Sequence, residues 1–179
     1  MRTLVMAAGL LGVERTAHAE VYEVGLGAGV LSFNSGGEAL TKHSAGPSLD
    51  AGMGFALDPD VLVFGRLIAT LGIEDEQHAH DDVVLGATIR KLGERLWGEA
   101  GLGLGFYRGR YRYKTFFSAD SAYDGDIFTP TLLAGGGVTL YRSGALAIDA
   151  RVDLTLSLFG GEVPLVAGAH LLIGARWQR

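Results

Sequence analysis

The sequence predicts an all-β fold. Eight antiparallel strands run in up-and-down order, close into a transmembrane barrel and follow a cleavable signal peptide. Three observations predict it. Eight stretches alternate apolar with polar or small residues at period two, the spacing at which strand side chains reach opposite faces. The connections between them alternate short and long. One face is a nearly unbroken series of Leu, Val, Ile, Ala and Phe, whereas the other carries Gly and isolated charges of both signs.

Residues 1–19 have the three parts of an export signal. Arg2 gives a short positive start, Thr3–Val13 an apolar run, and Ala17-His18-Ala19 a small-x-small cleavage site that leaves Glu20 as the first mature residue. Residues 20–179 form the barrel domain.

The strands follow in order. The first sets Tyr22, Val24, Leu26, Ala28 and Val30 against Glu23, Gly25, Gly27 and Gly29. The second sets Leu49, Ala51, Met53, Phe55 and Leu57 against Ser48, Asp50, Gly52 and Gly54. The third, the least regular, has Val61, Val63, Leu67, Ala69 and Leu71 opposite Phe64, Arg66, Ile68 and Thr70. The fourth alternates Val83, Leu85, Ala87 and Ile89 with Val84, Gly86, Thr88 and Arg90. The fifth has Leu96, Ala100, Leu102, Leu104 and Phe106 opposite Trp97, Glu99, Gly101, Gly103 and Gly105. The sixth sets Phe128, Leu132, Ala134, Val138 and Leu140 against Thr129, Thr131, Gly135, Gly137 and Thr139. The seventh, residues 145–159, alternates Leu146, Ile148, Ala150, Val152, Leu154 and Leu156 with Ala147, Asp149, Arg151, Asp153, Thr155 and Ser157. The eighth alternates Leu165, Ala167, Ala169, Leu171, Ile173, Ala175 and Trp177 with Gly168, His170, Leu172, Gly174 and Arg176.

Short turns at 58–60, 93–95 and 142–144 alternate with longer polar connections at 34–47, 73–82 and 109–126, and residues 160–164 lie on the long side. Pro47, Pro59 and Pro164 fall in or beside connections, and Pro130 marks the upper end of the sixth strand. A meander of this kind is a closed barrel. Its apolar face would be an exposed patch too large for a soluble monomer, so that face meets lipid. Eight strands enclose only enough room for side chains, which explains the glycines of the other face. The chain has 28 of them, roughly twice the usual share of about 7%.

Composition excludes several functions. The net charge of −5 carries no nucleic-acid footprint, and the absence of Cys rules out disulfides and thiolate metal sites. Outside the leader, no stretch has the ~18 apolar residues that a membrane helix needs.

With strand count, connection asymmetry and dyad repeat in hand, residues 20–179 resemble the eight-stranded outer-membrane barrels of Gram-negative bacteria, and are similar to the OmpA membrane domain and OmpX. The resemblance implies a monomer in the bacterial outer membrane, with termini in the periplasm and long loops outside. It also implies outer-membrane lipids, lipopolysaccharide and the assembly machinery as partners, with no cofactor. Such barrels usually end in an aromatic residue that the assembly machinery reads. Here Trp177 is followed by Gln178 and Arg179.

Three groups of residues are candidates for function. The first is a lumen charge network: Glu23, Asp50, Glu99, Asp149 and Asp153 with Arg66, Arg90, Arg151, Arg176 and His170. Closure sets Glu23 beside Arg176, the turn at 93–95 brings Arg90 to Glu99, and the last hairpin places Asp153 opposite His170. Such a near-neutral set fits a plug of salt bridges, or else a proton or ion path. The second is the basic, aromatic segment at 107–117, which should continue the fifth strand above the bilayer and in which Arg108, Arg110, Arg112 and Lys114 alternate with Tyr107, Tyr111 and Tyr113. Arginine forks match phosphate and tyrosines anchor at membrane interfaces, so the segment suits lipopolysaccharide head groups. The third is the acidic segment at 74–82, where Asp75, His78, His80 and Asp82 have the chemistry of a divalent-cation site, or of a solvated loop that discourages edge pairing.

The function expected is a structural or surface-interaction role: lipopolysaccharide contact, adhesion or envelope stability. Two alternatives stand beside it. One is a lipopolysaccharide-modifying hydrolase, for which His43 and Ser44 are the only adjacent His/Ser pair and Glu38 the acid to orient them. The other is a soluble periplasmic binder resembling lipocalins.

Overall fold

The computed structural model describes residues 19–34, 41–72, 78–115, 118–157 and 165–179. Side chains at 33–34, 41–42, 78–80, 109–115, 118–127 and 165 lie outside that description. The predicted signal peptide, residues 1–19, falls outside it except for Ala19.

The eight strands are β1 (Glu20–Asn34), β2 (Thr41–Asp58), β3 (Val61–Leu71), β4 (His78–Leu92), β5 (Leu96–Thr115), β6 (Ser118–Ser143), β7 (Leu146–Ser157) and β8 (Leu165–Gln178). Each pairs antiparallel with the next, and β8 closes on β1 through pairs such as Gly25↔Gly174 and Gly29↔His170. Closure leaves no free sheet edge, so every strand has two hydrogen-bonded neighbours and backbone polarity is satisfied without water.

The strands run further on the long-connection side than the alternation indicates. Much of 34–47, 73–82 and 109–126 is ladder rather than loop: β2 begins at Thr41, β4 at His78, and β5 and β6 stay paired out to Thr115↔Ser118. Backbone pairing needs no apolar face. Beyond the lipid nothing demands one, so the pattern fades while the ladder continues. Pro47 and Pro130 consequently lie inside β2 and β6, paired with Ala28 and Leu104, and both face outward.

Burial is inverted relative to a soluble protein. Leu26, Met53, Leu85, Leu102, Phe128, Leu154 and Ile173 are exposed, while Glu23, Asp50, Arg66, Arg90, Asp149, Arg151, Asp153 and His170 are buried. A soluble lipocalin-like binder requires the reverse. The exposed apolar wall makes this a transmembrane barrel.

The lumen is filled in layers. Near the short turns Val21, Leu62 and Phe64 cluster, with Ala56 and Leu92 against them. The charged layer follows. Above it Leu31, Ile68, Val84, Tyr107, Leu133 and Val166 form a second apolar cluster, threaded by hydroxyls. At the short-turn rim Tyr22 stacks on Trp177 with ring centroids 5.8 Å apart, marking one interface of the apolar band.

Candidate functional site

The charged layer is built by inward positions of six strands. Arg66 on β3 reaches Asp50 on the adjacent β2 at 2.6 Å, Asp153 on β7 at 2.8 Å, and Glu99 on β5. Arg90 on β4 reaches Glu23 on β1 at 2.5 Å and Glu99 at 2.9 Å. Arg151 on β7 pairs with Glu23 and Asp50 across the lumen and with Asp153 at 3.3 Å. Three guanidiniums and four carboxylates thus interlock, each arginine bridging at least two acids. A buried charge left alone costs several kcal/mol, so such a group is tolerable only as a network.

Packing holds the network in place. The Arg90 guanidinium lies 3.8 Å from the Trp97 ring centroid and 4.7 Å from that of Phe64, a cation between two π faces. Gly25 leaves the room that Arg151 needs: a Cβ there would sit 2.7 Å from its Nη2.

The neighbours expected from the sequence are partly those found. Arg90 and Glu99 face each other in the β4–β5 ladder and bond through Nε at 2.9 Å. Glu23 and Arg176 do stand opposite across the closing seam, but Arg176 turns to Asp149 at 3.1 Å while Glu23 takes Arg90 and Arg151. Asp153 and His170 are opposite in the β7–β8 ladder, yet the His170 Nδ1 lies 3.1 Å from both Ser48 Oγ and Thr70 Oγ1. Sequence reasoning missed this hydroxyl contact, because Ser48 is far away in the chain and carries no motif. His170 and Ser48 are both buried.

The hydrolase pair does not assemble. His43 and Ser44 are neighbours on one strand, so they point to opposite faces: His43 is exposed outside and Ser44 buried inside. His43 instead meets Ser32 across the β1–β2 ladder, Nδ1 to Oγ at 2.7 Å. Glu38 lies outside the described residues.

The acidic segment also differs from a loop. His78, His80 and Asp82 are alternate positions of β4, and Asp82 is buried beside Thr70 and Tyr107 in the neighbouring strands. Asp75 and the side chains of His78 and His80 lie outside the described residues. Among the described residues no three potential ligands gather as a metal site.

At the outer end of β5, Arg108 is exposed in line with Leu102, Leu104 and Phe106. Register continues that column through Arg110 and Arg112. Arg108 stands opposite Asp81 on β4 and Asp126 on β6, Arg110 opposite Asp124, and Arg112 opposite Ala122. Tyr111 pairs with Tyr123 and Tyr113 with Ser121. Lys114 falls in the irregularity between Tyr113 and Thr115. The side chains of Arg110, Tyr111, Arg112, Tyr113 and Lys114 lie outside the described residues.

Solved structures share this architecture. The chain is similar to Neisserial surface protein A at 16% identity and a TM-score of 0.60, covering 87% of this chain and 96% of that one. It is similar to Ail, the attachment invasion locus protein of Yersinia pestis, in complex with the heparin analogue sucrose octasulfate, at 16% identity and a TM-score of 0.56, covering 90% and 99%. No family model and no curated protein matches the chain. At these identities the likeness is one of fold: an eight-stranded barrel of the outer-membrane kind.

Proposed function

We propose that this protein is a small integral outer-membrane barrel with its termini in the periplasm, acting at its extracellular rim by contact with the phosphorylated head groups of lipopolysaccharide. The observation that carries the reading is the outward column of β5, where Leu102, Leu104 and Phe106 give way to exposed Arg108 and then to Arg110 and Arg112. Arginine at the edge of the hydrocarbon meets lipid phosphate, and its planar fork suits that group better than a lysine does. Aspartates stand opposite Arg108 and Arg110 in the ladder, so the strip is mixed in sign. Ail, of the same fold, was crystallised with an octasulfated sugar, which is consistent with polyanionic saccharides as the ligand class.

The test is the combined variant Arg108→Gln, Arg110→Gln, Arg112→Gln. It keeps the heat-modifiable migration of a folded barrel, because these positions lie beyond the lipid-embedded ladder. Lipopolysaccharide binding falls, and the part lost is the salt-sensitive part. Unchanged binding at low salt would leave the segment as an interface belt and the protein as a structural barrel.

A further inference from the structure

On the outer wall the hydrogen-bonded pair Ser32–His43 stands at the end of an apolar column. Along β1 the outward positions are Tyr22, Val24, Leu26, Ala28, Val30 and then Ser32. Tyr22 belongs to the aromatic pair at the short-turn interface. The ten residues from Tyr22 to Ser32, rising about 3.3 Å each along a strand tilted ~40°, climb roughly 25 Å, the height of the apolar band in such barrels. Ser32 therefore lies at the opposite interface, the level at which lipid acyl esters sit.

Stability does not explain the pair. A hydrogen bond contributes about 0.5–1.5 kcal/mol net, and this one is exposed rather than buried among groups that need it. The serine hydroxyl lies 2.7 Å from an imidazole nitrogen, within the reach at which an acceptor nitrogen can activate a hydroxyl for attack.

We infer that Ser32 and His43 form a lipid-facing acyl-ester hydrolase site, whose substrate class is the fatty-acyl esters of the surrounding leaflet. The inference rests on the membrane embedding proposed above and is independent of the arginine column. Ser32 Oγ attacks the ester carbonyl carbon and His43 Nδ1 takes its proton. The bond from that carbon to the alkoxy oxygen breaks, and the leaving alkoxide takes the proton from His43. Water then attacks the acyl-serine and gives a proton to His43; the bond from the acyl carbon to Ser32 Oγ breaks, Oγ takes that proton back from His43, and the fatty acid leaves. The pair lies at the interface level, where water meets the ester groups of the leaflet.

The experiment uses the full barrel refolded in detergent, checked by heat-modifiable migration, and probed with a fluorophosphonate and with p-nitrophenyl palmitate. The parent labels and turns over, Ser32→Ala does neither, and His43→Ala reacts at least ~100-fold more slowly, the scale of a lost general base. Ser44→Ala, altered on the inner face, reacts like the parent. Fatty-acid release from phosphatidylglycerol vesicles or from purified lipopolysaccharide then distinguishes the two sources of ester. A folded parent that does not label, or a Ser32→Ala variant that labels as the parent does, would overturn the assignment. In the combined Arg→Gln variant labelling persists, so failure of the rim reading and failure of this one are separable.

Discussion

Arg66 and Asp153 meet at 2.8 Å although they stand on β3 and β7, opposite walls of the barrel. A side chain that reaches the far wall crosses the lumen. Apolar clusters lie above and below the charged layer, so the described part of the lumen is filled by side chains. In planar bilayers the protein should give at most small, irregular currents. A large and stable open state would mean that the charged layer is hydrated rather than packed.

The same contact sets the stability of the interior. Arg66→Ala leaves Asp50, Glu99 and Asp153 each short of one partner in a buried layer. Removing one member of a buried ionic group costs about 3–5 kcal/mol. The exposed pair Lys91–Asp60, 3.7 Å apart at the short-turn rim, offers the contrast, since such surface pairs contribute about 0–1 kcal/mol. Urea titration of the two variants, Arg66→Ala and Asp60→Ala, in lipid vesicles should separate them clearly. Equal midpoints would show that the interior network adds nothing to the fold.

Strand number and facing were legible in the sequence because they follow from local rules. Period two divides each strand between two environments, and here the environments differ as sharply as lipid and a packed lumen. Asp149, Arg151 and Asp153 had to share the inner face whatever their partners. The partners were not legible. Register fixes which backbones are opposite, whereas an arginine long enough to cross the lumen chooses among all inward strands. Glu23 stands opposite Arg176 yet takes Arg90 and Arg151. Ser32–His43 was hidden for a different reason: adjacency along a strand separates His43 from Ser44, and only the hairpin register brings Ser32 to it. The continuation of β5 was legible in the alternation of Arg and Tyr from 107 to 113, whereas the outer part of β6 was missed because its residues leave no such trace in hydropathy.

The lipid face makes its own prediction. Leu154 is half exposed in the middle of β7, between Ala134 and Ala169 on the adjoining strands. A charge placed there meets hydrocarbon, which costs about 2–4 kcal/mol near the midplane. Leu154→Arg should therefore fold poorly into vesicles, while Leu154→Phe, which keeps the face apolar, should refold nearly as the parent does. Tolerance of the arginine would invert the assignment of the two faces.

Two glycines test the packing of the lumen against the freedom of the wall. At Gly25 an added Cβ would lie 2.7 Å from Arg151 Nη2 and 3.3 Å from its Cζ. Arginine ends are normally free to move aside, but this one is held by Glu23, Asp50 and Asp153. Gly25→Ala must then displace the network or distort β1, and overpacking of that kind costs about 1–3 kcal/mol. Gly65 faces outward, and an added Cβ would meet nothing closer than the Met53 carbonyl oxygen at 3.7 Å. Glycine within a strand is itself unfavourable by roughly 0.5–1 kcal/mol, so Gly65→Ala should be neutral or mildly stabilising. Because the substitution is the same at both sites, unfolded-state effects largely cancel and the difference in urea midpoints reports the lumen alone. If Gly25→Ala were as stable as Gly65→Ala, the Arg151 guanidinium would have room to move, and the interlocked charges would be a looser assembly than their geometry indicates.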